Sequence, residues 1–413
     1  MKLHIEFLVS RRGLFAGWLL LRLLVGSTAA EFPVNLHAAG DQFAPDVAMD
    51  AQGNFVVAWQ SAGQGGRNNS IIGRRFDRFG RPSSAEFRIN IQDNATLPAV
   101  AIRPTGEFIV VWEGRDDSGK GIFARNYDAA GRPVTDAYPV NVTTLRDQTD
   151  PHVAVNDAGC YVIAWRGQFR LPSDAVITNI FCRVFDGSDA AAGPEQQVTD
   201  GTLTMRPAVG IDRAGDFVVI WAERFSKWEF VGLRRFEQGG QSPGPIQMAA
   251  ATCPLLAVLD LTMNDAGEHV AVWYSGLEYG EEDVEVHGRW LRPDGTRCGE
   301  PFDVPTKLTG RQLGPSVAMD TSGHFRVALV IESDAQNDVL TVPYDACGKS
   351  AGWATRLNEF TDGDQSGCAI AMNAAGDRWV VVWQSEEQDG SGWGVYGALQ
   401  APPNAVERWS IME

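Results

Sequence analysis

The sequence predicts an all-β fold, and three observations support that prediction. The 413 residues include 44 glycines, 13 tryptophans and 20 phenylalanines, a composition that favours strands and tight turns over long helices. Seven similar segments recur along the chain. In each, a strand-like pattern, a glycine turn and an apolar strand follow one another. Together these observations predict a seven-bladed β-propeller of four-stranded antiparallel blades.

The repeat sets the predicted architecture. The seven segments read PDVAMDAQGNFVVAWQS, PAVAIRPTGEFIVVWEG, PHVAVNDAGCYVIAWRG, PAVGIDRAGDFVVIWAE, LDLTMNDAGEHVAVWYS, PSVAMDTSGHFRVALVIES and CAIAMNAAGDRWVVVWQS. Their turn glycines recur about every 54 residues, near the period of propeller blades, at Gly53, Gly106, Gly159, Gly215, Gly267, Gly323 and Gly376. In the first unit, IIGRRFD and EFRIN follow as the third and fourth strands. Each unit is thus one predicted blade.

The ends of the chain complete this scheme. We expect a signal peptide at residues 1–30, the propeller at residues 31–400 and a C-terminal tail at residues 401–413. The seventh unit supplies three strands, ending in GVYGALQ, and lacks a fourth. The segment EFPVN, which begins at Glu31, resembles the fourth-strand segment EFRIN. The N-terminal strand is therefore predicted to complete the last blade and close the ring.

Residues that recur in nearly every unit are predicted to be structural. An Asp or Asn three residues before the turn glycine caps a type I turn; a row of calcium-binding carboxylates is the alternative. A Trp closes the second strand of six units and is predicted to be core. An Arg on the third strand lies two residues before an aromatic or Leu side chain, on the same side of the strand, and is predicted to stack on neighbouring aromatic rings; a fivefold anion site is the alternative. The capping residues are Asp50, Asn156, Asp212, Asn264, Asp320 and Asn373; the tryptophans are Trp59, Trp112, Trp165, Trp221, Trp273 and Trp383; the arginines are Arg74, Arg125, Arg183, Arg234 and Arg289.

The first 30 residues predict export. A basic start, an apolar run from Leu14 to Val25 and small residues up to Ala30 are typical of a signal peptide. The segment SRRGLF resembles the twin-arginine export motif, and a Sec signal is the alternative. We expect a periplasmic or extracellular location and no membrane span. The net charge of −17 argues against nucleic acid as a partner, because phosphate binding needs basic patches.

Six cysteines lie beyond the signal. The sequence contains no CxxC pair of the kind that indicates a metal site. Cys160 and Cys182 fall on neighbouring strands of the third unit, and they are the predicted disulfide, since export leads to an oxidising compartment.

The segments VVWQS, IFARNYDAAGRP and AEFRIN resemble the tandem repeats of exported bacterial seven-bladed β-propeller proteins, most of which have no assigned function. The resemblance covers roughly residues 31–400. It implies the fold and export, and it transfers no catalytic residue.

Function is predicted where the units differ. After the leading proline, the units carry Asp46, His152, Asp260 and Ser316 in place of a small residue. These side chains are expected to converge at the channel mouth, where His152 with Asp46 or Asp260 could perform acid–base catalysis or hold a metal. Ser316 is a candidate ligand-binding residue. The structural alternative is that they are solvated strand starts.

The loops after the second strands carry the other candidates. Trp228, Tyr279 and Trp393 are predicted to stack on sugar rings or to anchor a protein partner, or else to cover loop backbone. Acidic side chains in one loop, with oxygen ligands that suit calcium, are the candidate metal ligands; a solvated acidic loop is the alternative. These acidic residues are Glu281, Glu282 and Asp283.

Two functions remain open from the sequence. The first is a monomeric binding module for extracellular or cell-surface glycans, or for a protein ligand, with its site on the loop face and no cofactor other than calcium. The second is a carbohydrate-active enzyme, a polysaccharide lyase or hydrolase, at the channel mouth. No GxSxG, HExxH or P-loop motif occurs in the chain.

Overall fold

The structure, a computed structural model, describes residues 30–64, 68–144, 146–170, 175–200, 203–225, 228–237, 239–252, 259–276, 284–306, 310–333, 336–346 and 348–400. Residues 1–29 of the predicted signal peptide lie outside the described residues, and so does the predicted tail at residues 401–413. The described residues form 28 strands and contain no helix. No helix long and apolar enough to span a membrane is therefore found in this part of the chain.

Consecutive strands pair into antiparallel sheets of four, which we call units one to seven. Unit one holds β2 (Gln42–Met49), β3 (Phe55–Ala62), β4 (Asn69–Phe76) and β5 (Phe87–Arg88). Unit two holds β6 (Thr96–Ile102), β7 (Phe108–Arg115), β8 (Lys120–Tyr127) and β9 (Tyr138–Pro139). Unit three holds β10 (Gln148–Val155), β11 (Tyr161–Arg170), β12 (Val176–Phe185) and β13 (Gln196–Gln197).

The second half of the chain repeats the arrangement. Unit four holds β14 (Leu203–Ile211), β15 (Phe217–Phe225), β16 (Trp228–Glu237) and β17 (Ser242–Thr252), and a single parallel pair, Thr178 with Leu203, joins it to unit three. Unit five holds β18 (Leu259–Met263), β19 (His269–Gly276), β20 (Val284–Leu291) and β21 (Arg297–Asp303). Unit six holds β22 (Arg311–Met319), β23 (Phe325–Glu332), β24 (Asn337–Tyr344) and β25 (Thr355–Arg356). Unit seven holds β26 (Gln365–Met372), β27 (Trp379–Glu386), β28 (Trp393–Gln400) and, as its outer strand, β1 (Ala30–Pro33).

The outer strand of unit seven comes from the start of the described chain. β1 pairs antiparallel with β28, and Phe32 lies opposite Gly397. The segment that follows β1 is bonded to the same strand, since the Val395 N–H donates to Asn35 Oδ1 at 2.6 Å. Elsewhere the same position repeats this contact: the Ile71 N–H donates to Asn90 Oδ1 at 2.8 Å. The strand predicted from EFRIN is only two residues long, Phe87–Arg88. Beyond its end, the Asn90 side chain accepts a hydrogen bond from the neighbouring strand.

The repeated turn residues cap their own turns, as predicted. In unit one, Asp50 Oδ1 accepts hydrogen bonds from the N–H groups of Gln52 and Asn54, at 2.9 and 2.8 Å. Gly53 has a φ of 87°, a left-handed conformation that a side chain would strain. The turn itself accounts for this recurring carboxylate or amide.

Apolar clusters fill the spaces between neighbouring units. The tryptophans predicted to be core are at most 3% exposed, and Leu329, which takes their place in unit six, is fully buried. One cluster joins units one and two and another joins units two and three. A further cluster holds Val57 of unit one, Val382 of unit seven and Val34 together. The first and last units therefore share a core, as adjacent units do.

Four of the five recurring arginines stack on aromatic rings, and all five bind the preceding unit; Arg289, which is followed two residues later by Leu291, only donates to the Ala249 carbonyl. Arg74 lies 5.4 Å from the centroid of the Phe76 ring, and its guanidinium donates to the Val34 carbonyl at 2.7 Å. The same two contacts recur for Arg125, Arg183 and Arg234, with the carbonyls of Ile89, Val140 and Val198 as acceptors. Each arginine thus ties the third strand of one unit to the outer segment of the unit before it.

The predicted disulfide between Cys160 and Cys182 is wrong. Both cysteines are free thiols. Cys182 lies opposite Ala164 in the pairing of β11 with β12, four residues along the strand from Cys160, which corresponds to about 13 Å. A disulfide needs Cα atoms within about 7 Å, so the prediction fails because Cys160 lies just before β11 begins at Tyr161, too far along the sheet from Cys182.

Candidate functional site

The first strands of all seven units meet around one cavity of about 420 Å³. Small residues line much of it, including Ala99 and Ala369. The first strand is therefore the innermost strand of each unit. Polar side chains interrupt this small lining, and they are Asp46, Asp150, His152, Arg206, Asp260, Ser316 and Gln384.

In six of the seven units, a β-bulge in the first strand lies where that strand lines the cavity. The pairing of β2 with β3 shifts register between Phe43 and Asp46, and equivalent shifts occur in units two, three, four, six and seven. Ala44, just before the proline of unit one, has a φ of 49°, and Gly314 holds the same position in unit six with a φ of 53°. A bulge bends its strand and redirects the next side chains. Proline suits it because proline has no N–H to pair.

His152, Asp260 and Ser316 form one connected group across units three, five and six. His152 Nε2 lies 3.6 Å from Asp260 Oδ1. Ser316 Oγ donates to Asp260 Oδ2 at 2.9 Å. These three side chains, chosen from the sequence, are therefore within reach of one another, although unit four separates His152 from Asp260 along the chain.

Asp46 lies across the same cavity in unit one. Its Oδ2 accepts a hydrogen bond from the Val100 N–H at 2.7 Å. Burial raises the pKa of Asp46 from 3.8 to about 6, against the hydrogen bond from Val100 and the charge of His152, which lower it. The carboxyl group can therefore change charge near neutral pH.

These four side chains share a second role, because each binds the backbone of the following unit. His152 Nδ1 accepts from the Val209 N–H at 3.3 Å, and Asp260 Oδ2 accepts from the Val317 N–H at 2.9 Å. Ser316 Oγ accepts from the Ile370 N–H at 3.2 Å. With Asp46 and Val100, this makes four equivalent links. The links hold neighbouring first strands together and fix the orientation of each side chain.

The histidine tautomer follows from its link. Because Nδ1 accepts the Val209 N–H, the neutral ring carries its proton on Nε2, which faces Asp260. In that tautomer the cavity side of His152 is a donor. A general base would need an unprotonated nitrogen there.

Sequence reasoning missed the polar residues that precede the proline or follow the tryptophan. Asp150 binds Arg166 at 2.7 Å and Arg206 at 3.5 Å. Gln384 Oε1 accepts from the Ala44 N–H at 2.9 Å. The signal was available, since these positions vary between units as much as the position after the proline does.

The candidates from the loops are less informative. Trp393 is half-buried and does not line the cavity. Its backbone N–H donates to Asp41 Oδ1 at 3.2 Å. Trp228 begins β16, and its side chain lies outside the described part of the structure. Tyr279 and the proposed calcium ligands Glu281, Glu282 and Asp283 also lie outside the described residues.

Comparison with known proteins identifies the fold. No protein-family model and no curated protein matches the sequence. A protein of unknown function from Dyadobacter fermentans matches with a TM-score of 0.53 and 11% identity, covering 90% of this chain and 98% of that one. The β-propeller domain of the trilobed protease from Pyrococcus furiosus matches with a TM-score of 0.51 and 11% identity, covering 90% and 99%. The chain has a β-propeller fold.

A polysaccharide lyase, described as an ulvan lyase, is also similar, with a TM-score of 0.55 and 10% identity over 86% of this chain and 94% of that one. At such identities the likeness shows the fold alone. Membership among the exported bacterial repeat proteins has no support from a sequence family, and it stays a prediction.

Proposed function

We propose that this chain is an exported glycan-binding module whose site is the cavity where the seven first strands meet. The observation that carries the proposal is the lining: small residues leave about 420 Å³ open, and polar side chains from several units point into it. A concave site with a few oriented polar groups is typical of small-molecule and sugar recognition. The Asp46 and Asp260 carboxylates and the Gln384 amide offer acceptors for sugar hydroxyls, and Arg206 offers donors.

The links to the backbone favour binding over catalysis. One acceptor atom of each of three side chains, His152, Asp260 and Ser316, is bonded to a backbone N–H of the next unit. Such groups are fixed in place, which suits recognition because little side-chain entropy is lost on binding. The protonated Nε2 of His152 can donate to a sugar oxygen, and abstraction of a proton would require the other tautomer.

Similar folds carry glycan chemistry, and this supports the ligand class. The ulvan lyase acts on a polysaccharide, and a second polysaccharide lyase of this shape has a TM-score of 0.53 at 8% identity. Fold likeness alone does not assign a ligand. The proposal therefore depends on the cavity, and the lyases indicate which ligands to try first.

The proposed propeller has seven blades and is closed by its N-terminal strand. Three contacts support this. β1 pairs with β28, Arg74 of unit one holds the Val34 carbonyl as other arginines hold preceding units, and Val57 packs with Val382 across units one and seven. A strand pair between the two ends removes an exposed edge from the last sheet.

Replacing residues 31–35 by a Gly-Ser segment of equal length tests this closure. Val34 is fully buried and Asn35 nearly so, and the replacement also removes Phe32 from the core. We expect a loss of about 3–6 kcal/mol in the free energy of unfolding, roughly two apolar side chains and a buried hydrogen bond. The measurement is urea denaturation of the mature chain. An unchanged midpoint would contradict the closure.

The remaining properties belong to the same proposal. The predicted signal peptide supports a periplasmic or extracellular location. The net charge of −17 favours partners other than nucleic acid. We propose that the mature chain acts as a monomer without a catalytic cofactor.

A glycan array with the purified mature chain tests the function. The proposal expects binding to a subset of glycans, with no release of unsaturated or reducing ends from the bound polysaccharides. Absence of binding to every glycan would contradict it.

The alternative is a polysaccharide lyase or hydrolase, which the proximity of His152 to Asp260 favours. It predicts end-group release that His152→Ala abolishes. His324→Ala, at a histidine that does not line the cavity, is the matched control and should retain activity.

A further inference from the structure

Unit five carries a cluster of side chains that the cavity does not use. Glu285 and His287 lie two residues apart on β20, so they share one face of the sheet. Asp303, at the end of β21, pairs directly with His287 in the strand register. One ligand atom from each of the three lies within 4.8 Å of the others.

The cluster is a departure from the repeat. At the position of His287 the other six units carry apolar residues, tyrosine or glycine: Ile72, Phe123, Phe181, Gly232, Leu340 and Tyr396. At the position opposite it on the outer strand, they carry Arg88, Pro139, Gln197, Met248, Arg356 and Pro33. Unit five alone combines an imidazole with a carboxylate across this strand pair. Packing of the repeated frame therefore does not require these residues.

The histidine is oriented but keeps access to solvent. His287 Nδ1 lies 2.7 Å from Asp303 Oδ1. Its ring is 6.3 Å from that of the buried Trp273, which lies opposite His287 in the pairing of β19 with β20. The side chains of His287 and Asp303 are 24% and 73% exposed. None of the hydrogen bonds of the described residues links these three side chains to the backbone of another unit, in contrast to the cavity residues.

We propose that Glu285, His287 and Asp303 bind a divalent transition metal ion of the Zn²⁺ class. Zn²⁺ takes imidazole nitrogen and carboxylate oxygen at about 2.0–2.2 Å, so tetrahedral ligand atoms lie about 3.4 Å apart. The three atoms need to move by about 1 Å or less to reach that spacing, which exposed side chains can do. Three protein ligands leave a fourth position for water or for an oxygen of a ligand. A mixed nitrogen and oxygen set suits Zn²⁺ better than Ca²⁺, which prefers oxygen alone.

Calorimetric titration of the full mature chain with Zn²⁺, after removal of any purification tag and treatment with a chelator, tests this site. One Zn²⁺ ion per chain is expected. His287→Ala should weaken binding at least tenfold, and so should Glu285→Gln, whose exposed side chain can change without disturbing the core. Ca²⁺ in place of Zn²⁺ should give at least tenfold weaker binding.

Two histidine variants make the test specific. His324 also faces a carboxylate, with Nδ1 at 3.3 Å from Asp320 Oδ2, but has no third ligand of this kind within reach among the described residues. His324→Ala should therefore keep the Zn²⁺ affinity. His152→Ala should keep it too, since His152 belongs to the cavity. Absence of Zn²⁺ binding, equal binding by His287→Ala, or loss of binding in His152→Ala would each overturn the proposal.

Discussion

The cavity and the cluster of Glu285, His287 and Asp303 in unit five each hold a histidine beside carboxylates. The two groups have different hydrogen-bond partners. In the cavity, His152, Asp260 and Ser316 accept hydrogen bonds from the backbone of the next unit. In unit five, His287 is bonded to Asp303, a neighbour in its own sheet. The first set therefore serves the fold as well as the proposed glycan site. The second set makes no such link between units, and the proposed metal ion would account for its composition.

The largest difference between the two regions should appear on removal of a carboxylate. Asp260 accepts hydrogen bonds from Leu261, Ser316 and Val317. Asp260→Ala removes the carboxylate acceptor of these three partly buried donors. We expect the substitution to lower the free energy of unfolding by about 2–4 kcal/mol. Asp303→Ala, with an exposed side chain, should change it by less than about 0.5 kcal/mol.

Urea denaturation of both variants measures this contrast. Equal losses for Asp260→Ala and Asp303→Ala would break the distinction between a carboxylate that joins two units and one that does not.

A smaller, pH-dependent effect is expected at Asp46. Burial raises the pKa of this carboxyl to about 6 in the folded chain, against 3.8 ordinarily. Protonated Asp46 therefore stabilises the fold below about pH 4, and this stabilisation is lost as the pH rises through 6. Asp46→Asn keeps an acceptor for the Val100 N–H but cannot ionise. The variant should exceed the wild type in stability by about 1–3 kcal/mol at pH 8 and match it at pH 4.

Thermal melts between pH 4 and pH 8 check this effect, with Asp362→Asn at an exposed aspartate as the control. A stability difference between Asp46→Asn and the wild type that does not vary with pH would contradict the effect of burial on Asp46.

The sequence predicted the frame well because the frame repeats. The turn aspartates, the buried tryptophans and the stacked arginines each recur at a fixed place, and each is confirmed in the structure. Repetition turns a weak local signal into a strong one, since chance does not place the same residue type at the same position in five or six units. The convergence of His152 and Asp260 was also predicted, because equivalent positions of a propeller meet at its axis.

The errors and omissions concern features that do not repeat. Cys182 lies on β12, as predicted, but Cys160 lies just before β11, because that strand begins at Tyr161. The distance between the two cysteines depends on where the strand begins and on the register. The contact between His287 and Asp303 could not be predicted, because it depends on which outer-strand residue pairs with His287. The lengths of the loops between the third and outer strands vary from unit to unit, so the sequence does not fix that pairing. Asp150 and Gln384 were not predicted because they lie before the proline and after the tryptophan, and not at the position that follows the proline.

Calorimetric titration of a glycan found on the array, against the wild type and two arginine variants, tests the central claim most directly. Arg206 lines the cavity and has a side chain that is 43% exposed. Arg132 is also exposed and paired with Asp128, but lies away from the cavity. We predict that Arg206→Ala weakens binding at least about tenfold, or 1.4 kcal/mol, and that Arg132→Ala leaves it unchanged. Equal affinity for Arg206→Ala and the wild type would contradict the assignment of the cavity as the glycan site.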